Sequence, residues 1–169
     1  MKRISLVFGV VVLLNGCSYS ISPEMVEKAD KTIPFEALRS DPESFKGRTL
    51  ILGGTIAHIT NTKQGTLLEV VQKSLDYWGK PERTDKSGGR FLVFHPGYLD
   101  AMVYSPGRGI TVAGEVEGSK QKALGEIDYS YPVLLSRELK LWERERQSPG
   151  QPAWWDPLLY DPHGQARPN

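Results

Sequence analysis

The chain has 169 residues and a mass of 18.9 kDa, room for one ordinary domain of about 100 to 200 residues. Its 39% hydrophobic and 24% charged residues exclude a polytopic membrane protein, a collagen-like repeat and wholesale disorder. Twenty-one basic against twenty acidic residues leave a net charge of +1, which advertises no nucleic-acid partner, and one cysteine excludes an intramolecular disulfide and every multi-cysteine zinc pattern.

The chain opens with Lys2 and Arg3, continues with an apolar run from Ile4 to Leu14, and then reads Asn15-Gly16-Cys17. Positive residues, a short hydrophobic stretch and a small residue are the parts of a secretory signal in their usual order. As a helix at ~1.5 Å per residue the run would cover about 16 Å, half of the ~30 Å hydrocarbon layer, too little to span it. Leu14-Asn15-Gly16-Cys17 resembles the lipobox of bacterial lipoproteins, with Asn15 where Ala, Ser or Thr is commoner. That resemblance implies that residues 1–16 are a signal peptide removed by the lipoprotein peptidase. It also implies an S-diacylglycerol on Cys17 and an acyl chain such as palmitate on its freed amino group, with no further cofactor. The lipoprotein processing and sorting machinery would be obligatory partners. Ser18 takes the place where aspartate favours inner-membrane retention, which points to the outer membrane. Only Lys2 and Arg3 are lost with the leader, so the exported chain is near neutral.

Residues 17–32 read as the lipidated cysteine and a polar tether, with Ser22-Pro23-Glu24 offering a cap, a first-turn proline and an early acid for one helical turn. In Ile33 to Phe45, Phe35, Leu38 and Phe45 suit one helical face laid on a core, and Pro42 stops any longer helix. Strands then follow at Arg48–Thr60, with a bulge or sharp coil expected at Gly53-Gly54, and at Thr66–Gln72 beyond a polar turn. A polar connection leads to a third strand, Arg90–Phe94. Pro96 to Tyr104 reads as a short helix closed by Ser105-Pro106-Gly107. Two more strands are expected at Gly109–Val116 and Val133–Trp142, the last with Val133, Leu135, Arg137, Leu139 and Leu141 on one face and Leu134, Ser136, Glu138, Lys140 and Trp142 on the other. Three strands, a short helix and two strands are the order of the OB-fold, so the expected domain is a mainly all-β, five-stranded Greek-key barrel over residues 33–146. Residues 147–169 form a tail with five of the twelve prolines, set among Trp154, Trp155 and Tyr160. Proline at that density forbids a helix or central strand.

Residues 90 to 142 carry a series of short motifs: Gly89-Arg90-Phe91, Gly97-Tyr98-Leu99-Asp100, a run from Tyr104 to Gly118 containing Arg108, Thr111, Gly114 and Val116, then Tyr129-Ser130-Tyr131-Pro132-Val133 and Leu141-Trp142. With the lipobox, these resemble the Slp family of starvation-inducible bacterial outer-membrane lipoproteins. The resemblance implies an address, the outer membrane with the folded part facing the periplasm, and a role in envelope maintenance or stress adaptation; it implies no reaction.

The residues themselves offer little chemistry. His58, His95 and His163 are too scattered for a metal, and no G-x-S-x-G, P-loop or H-E-x-x-H occurs. Gly88-Gly89-Arg90 imitates an anion-binding loop, but no helix start follows it, and a loop entering a strand is the plainer reading. Arg90, Arg108 and Arg137 adjoin or occupy predicted strands, and a cleft lined by them would attract an anionic sugar, peptide terminus or lipid headgroup. Tyr129 and Tyr131 could stack on sugars or simply pack. The near-neutral balance and the export signal argue against nucleic acid. The expected function is therefore a non-enzymatic lipoprotein that binds an envelope protein or glycan. Two rivals remain: a hydrolase of envelope glycan or lipid using Asp100, Glu115 or Glu126, which would need paired carboxylates in a cleft, and a scaffolding subunit docking through Trp154, Trp155 and Tyr160.

Overall fold

The computed structural model describes residues 21–143. Runs rich in β-branched and aliphatic residues form five strands: β1 (Thr49–Thr62), β2 (Gly65–Lys73), β3 (Arg90–His95), β4 (Gly109–Leu124) and β5 (Ile127–Leu141). They close into a barrel in the order β1-β2-β3-β5-β4, with β3 and β5 parallel and the other neighbours antiparallel. This is the Greek-key ring of the OB-fold.

Closure depends on β1, which is long enough to pair with β4 at one end and β2 at the other, and Gly53 to Thr55 pair with both. The sharp coil this demands needs glycine: a Cβ on Gly54 would lie 2.0 Å from the Val71 carbonyl oxygen. The bulge itself falls further on, at Ala57, where the register slips between Ile56 and His58.

Leu50, Leu52, Ile56, Leu68, Val70, Phe91, Val93, Ile110, Val112, Val116 and Leu134 fill the barrel. Strict alternation along β5 does not survive. An extra residue at Arg137 shifts the register between Ala113–Glu138 and Gly114–Ser136, so Leu134 faces the core from one side of the bulge while Leu139 and Leu141 pack on it from the other. A second shift beside Glu117 lets Gly118 adopt φ +112°, where Cβ would strike the Glu43 carboxylate.

Each mouth of the barrel has its own plug. One is closed by α2 (Phe35–Ser40), which inserts the fully buried Leu38 and sets Phe35 edge-on to Phe91 at 5.9 Å, followed by a 3₁₀ turn at Pro42–Phe45. The other is closed by Leu99, whose amide donates to Thr66 Oγ1 and whose carbonyl accepts from Asn61 Nδ2. Here the expected helix between the third and fourth strands is absent. Pro96 and Gly97 before it and Pro106-Gly107 after it leave room for one turn, held by the amides of Val103 and Tyr104 on the Asp100 carbonyl.

Two further expectations need correction. The described part of the tether is fastened to the barrel: α1 (Pro23–Lys28), capped by Ser22, lies between Ile21 and Ala29, both buried, and the Asp30 amide donates to the Thr49 carbonyl. The last two strands are also longer than read. A β4–β5 hairpin extends through residues 117–132, where polar residues hid the pairing that runs to Leu124–Ile127. The tail 147–169, like the leader, Cys17 and Ser18, lies outside the described residues.

Candidate binding surface

Leu68 and Val70 point inward, so Glu69 between them points out of the barrel, yet it is only 6% exposed. Its cover comes from the β4–β5 hairpin. Lys122 Nζ donates to Glu69 Oε2 and Arg90 Nη1 to Oε1, both at 2.6 Å, and the Tyr131 hydroxyl donates to Oε1 at 3.2 Å. Tyr129 accepts from the Arg90 amide and meets Tyr131 edge-on at 4.6 Å. Burial alone would raise the carboxyl's pKa, but the hydrogen bonds and charges of Lys122 and Arg90 outweigh it and hold Glu69 below the usual carboxylate range. Burial, reinforced by the negative charge of Glu69, raises the Tyr131 phenol.

Three of the sequence candidates, Arg90, Tyr129 and Tyr131, thus converge, and two residues that sequence reasoning missed, Glu69 and Lys122, hold them together. The outer face of β2 and β3, which OB-folds use for oligonucleotides and oligosaccharides, is occupied at this point by the chain's own hairpin.

The other two arginines go elsewhere. Arg137 pairs with Glu115 at 2.9 Å on the exposed side of β5 and β4. Arg108 donates to the carbonyls of Trp142 and Val103. The three arginines therefore line no common cleft. Arg108 instead borders a groove of about 960 Å³ between the β2–β3 connection and the start of β4. Thr55 and Gly107 to Gly109 are in its lining, Lys73 and residues 80–85 form one wall, and Trp142 and Glu143 form the other. Lys73 Nζ is held by the carbonyls of Thr84 and Lys86. Mixed charge beside an aromatic wall suits a polar, uncharged or zwitterionic ligand better than a polyanion.

The candidate carboxylates do not meet. Asp100 accepts from the Met102 amide in the β3–β4 loop, Glu115 is mid-strand against Arg137, and Glu126 is in the hairpin turn. His58 is exposed, and His95 Nδ1 shares a hydrogen bond with Ser136 Oγ. Among the described residues no group of three His, Cys, Asp or Glu side chains could hold a metal ion, and no helix is long and apolar enough to cross a membrane.

The described residues thus form an OB-type barrel plugged at both mouths, with the outer face of β2 and β3 covered at Glu69 by its own hairpin and a polar groove alongside. The sequence matches the outer membrane lipoprotein Slp family over residues 14–166, and the chain belongs to that family. It is thereby an outer-membrane lipoprotein. It is 26% identical to the outer membrane protein Slp of Escherichia coli over 145 residues, covering 84% of this chain and 76% of that one. It is also 30% identical to an uncharacterized protein of Haemophilus influenzae over 96 residues, 56% of this chain and 52% of the other. Among solved structures, a small single-stranded DNA-binding protein from Streptomyces coelicolor overlaps 54% of this chain and 90% of its own, with 12% identity and a TM-score of 0.32. The Plasmodium falciparum SSB complex with ssDNA overlaps 56% and 91%, with 14% identity and a TM-score of 0.28. Superpositions this loose carry no functional meaning for this chain.

Proposed function

We propose that the protein is held on the periplasmic side of the outer membrane by an S-diacylglycerol and an N-acyl chain on Cys17, with Ser18 directing its export. There it serves envelope maintenance or stress adaptation without catalysis, by binding an envelope component or protein partner. One observation carries this reading: Ile21, only four residues beyond Cys17, is already buried, at 2% exposed. A lipid on Cys17 would hold the barrel directly against the bilayer. At ~0.8 kcal/mol per buried methylene one acyl chain binds reversibly and two or three bind firmly. Among the described residues the groove at Arg108 is an open concave surface, and its mixed lining favours a sugar or peptide over a nucleic acid.

Metabolic labelling with radioactive palmitate tests the anchor. Wild-type protein takes the label and sediments with the outer membrane, and Cys17→Ser takes none and leaves that fraction. Unlabelled wild type, or a labelled Cys17→Ser variant, refutes it. Ligand binding is read by isothermal titration of envelope glycan fragments into the protein, where Arg108→Ala with Trp142→Ala should abolish any heat seen with the wild type.

A further inference from the structure

Tyr77 and Trp78 are 84% and 58% exposed, with their rings edge-on at 5.2 Å. Large apolar rings presented together to water call for an explanation, more so when the backbone beneath them is held firmly. It is held here at several points. The Asp76 carboxylate accepts from the amides of Trp78 and Lys80, Leu75 bridges to Pro81, and the Gly79 carbonyl accepts from Thr111 Oγ1 at 2.6 Å. Thr111 in turn accepts from Trp142 Nε1. The two rings are therefore displayed by a built turn on the outer face of β4.

Ser22, the N-cap of α1, is fastened to the same face. The Ser22 amide and hydroxyl donate to Glu138, which pairs with Ala113. Thr111 and Ala113 are two residues apart, so their side chains leave the same side of β4 at a spacing of about 7 Å. Cys17 is four residues before Ile21, a reach of about 14 Å at full extension. A domain of this size is about 30 Å across, so a lipid on Cys17 cannot pass to the opposite side.

We propose that this outer face, with Tyr77 and Trp78 at its tip, is the side of the barrel that rests on the lipid–water interface, the two rings seated among the headgroups. The inference deepens the proposed function and rests on Cys17 as the lipid-bearing residue. Tyr and Trp are the side chains that favour that interface, each joining an apolar ring to a polar tip. Lys140, paired with Thr111 across β4 and β5, and Lys80, in the same turn, lie 5.8 and 5.9 Å from the centre of the Trp142 ring and give this face positive charge, which suits anionic headgroups. Docked this way, the barrel is oriented as well as tethered, because the anchor and the aromatic tip are two contacts on one face.

The test uses the full lipidated chain, purified from membranes and reconstituted into phosphatidylethanolamine–phosphatidylglycerol vesicles with and without brominated acyl chains. Brominated lipid is expected to quench a component of the tryptophan emission that Trp78→Phe lacks. Tyr98→Trp, which adds an indole at an exposed position of the β3–β4 loop, should add emission that the bromines leave untouched. Equal quenching of wild type and Trp78→Phe, or quenching of the emission added by Tyr98→Trp, overturns the proposal. Mass spectrometry of the N-terminal peptide from the same sample separates the two readings. Bare Cys17 overturns the anchor and this face with it, whereas lipidated Cys17 with no Trp78-dependent quenching overturns the face alone.

Discussion

Replacing Glu69 by glutamine probes the cluster that joins the hairpin to the barrel. The carboxylate takes two charge-assisted hydrogen bonds at 2.6 Å, from Arg90 and Lys122, while its own side chain is 7% exposed. Hydrogen bonds to charged groups contribute about 1.5–3 kcal/mol each. Arg90 and Lys122 are 33% and 38% exposed, so water competes for them and the lower figure applies to each. Glutamine keeps an acceptor for one cation and turns its amide toward the other. The expected cost for Glu69→Gln is about 2 kcal/mol near pH 7, or roughly 6–10 °C in Tm for a domain of this size. The pH dependence has a definite sign. A carboxyl whose folded pKa is depressed contributes stability that is complete above its unfolded value, ~4.3, and disappears as pH falls through the lower folded value. Urea unfolding followed by circular dichroism should therefore show a gap between wild type and Glu69→Gln that is widest near neutrality and narrows at pH 3. A gap below about 0.5 kcal/mol at pH 7, or one of equal size at pH 7 and pH 3, would refute this account of how the hairpin is held.

Other perturbations address closure of the barrel and attachment of the N-terminal segment. Gly54→Ala sets a methyl 2.0 Å from the Val71 carbonyl oxygen and should cost upwards of 3 kcal/mol or prevent folding, seen as loss of the cooperative thermal transition, whereas Gly107→Ala, with nothing within 4 Å of the added Cβ but φ at +86°, should cost only about 1 kcal/mol. Leu99→Ala empties the mouth under the β3–β4 loop and should destabilise by about 2–4 kcal/mol, measured by urea unfolding; a loss under 1 kcal/mol would mean that Leu99 is not a plug. Glu138→Ala removes both acceptors for Ser22 and should speed amide hydrogen exchange in α1 while the β2 and β3 amides stay protected. Unchanged exchange in α1 would show that burial of Ile21 and Ala29 suffices to hold it.

Much of the barrel was legible because its signals are local. Four of the five strands announce their starts through aliphatic and β-branched runs, and Phe35 and Leu38 mark a helical face that does pack on the core. Arg90 stands out at the start of a predicted strand, and Tyr129 and Tyr131 as paired aromatics just before another, although the reason for their meeting is not visible there. Glu69 and Lys122 are 53 residues apart in sequence, and neither carries a motif. The polar hairpin of residues 117–132 gives no hydrophobic periodicity because its pairing is sustained mainly by the backbone ladder and by contacts with β2 and β3.

What the amino-acid order determined by itself was the kind of barrel, the apolar run that leads into Asn15-Gly16-Cys17 and the absence of familiar catalytic motifs, because each rests on residues close together in the chain. The tertiary structure decided the rest. A single extra residue at Arg137 reversed which side of β5 faces inward, and a loop with Leu99 took the place of a helix. Closure also brought Glu69, Arg90, Lys122 and Tyr131 to one buried point. Side-chain facing changes with each bulge, and a carboxylate remains buried and charged only where cations from distant strands arrive to pair with it, so both were settled when the sheet closed.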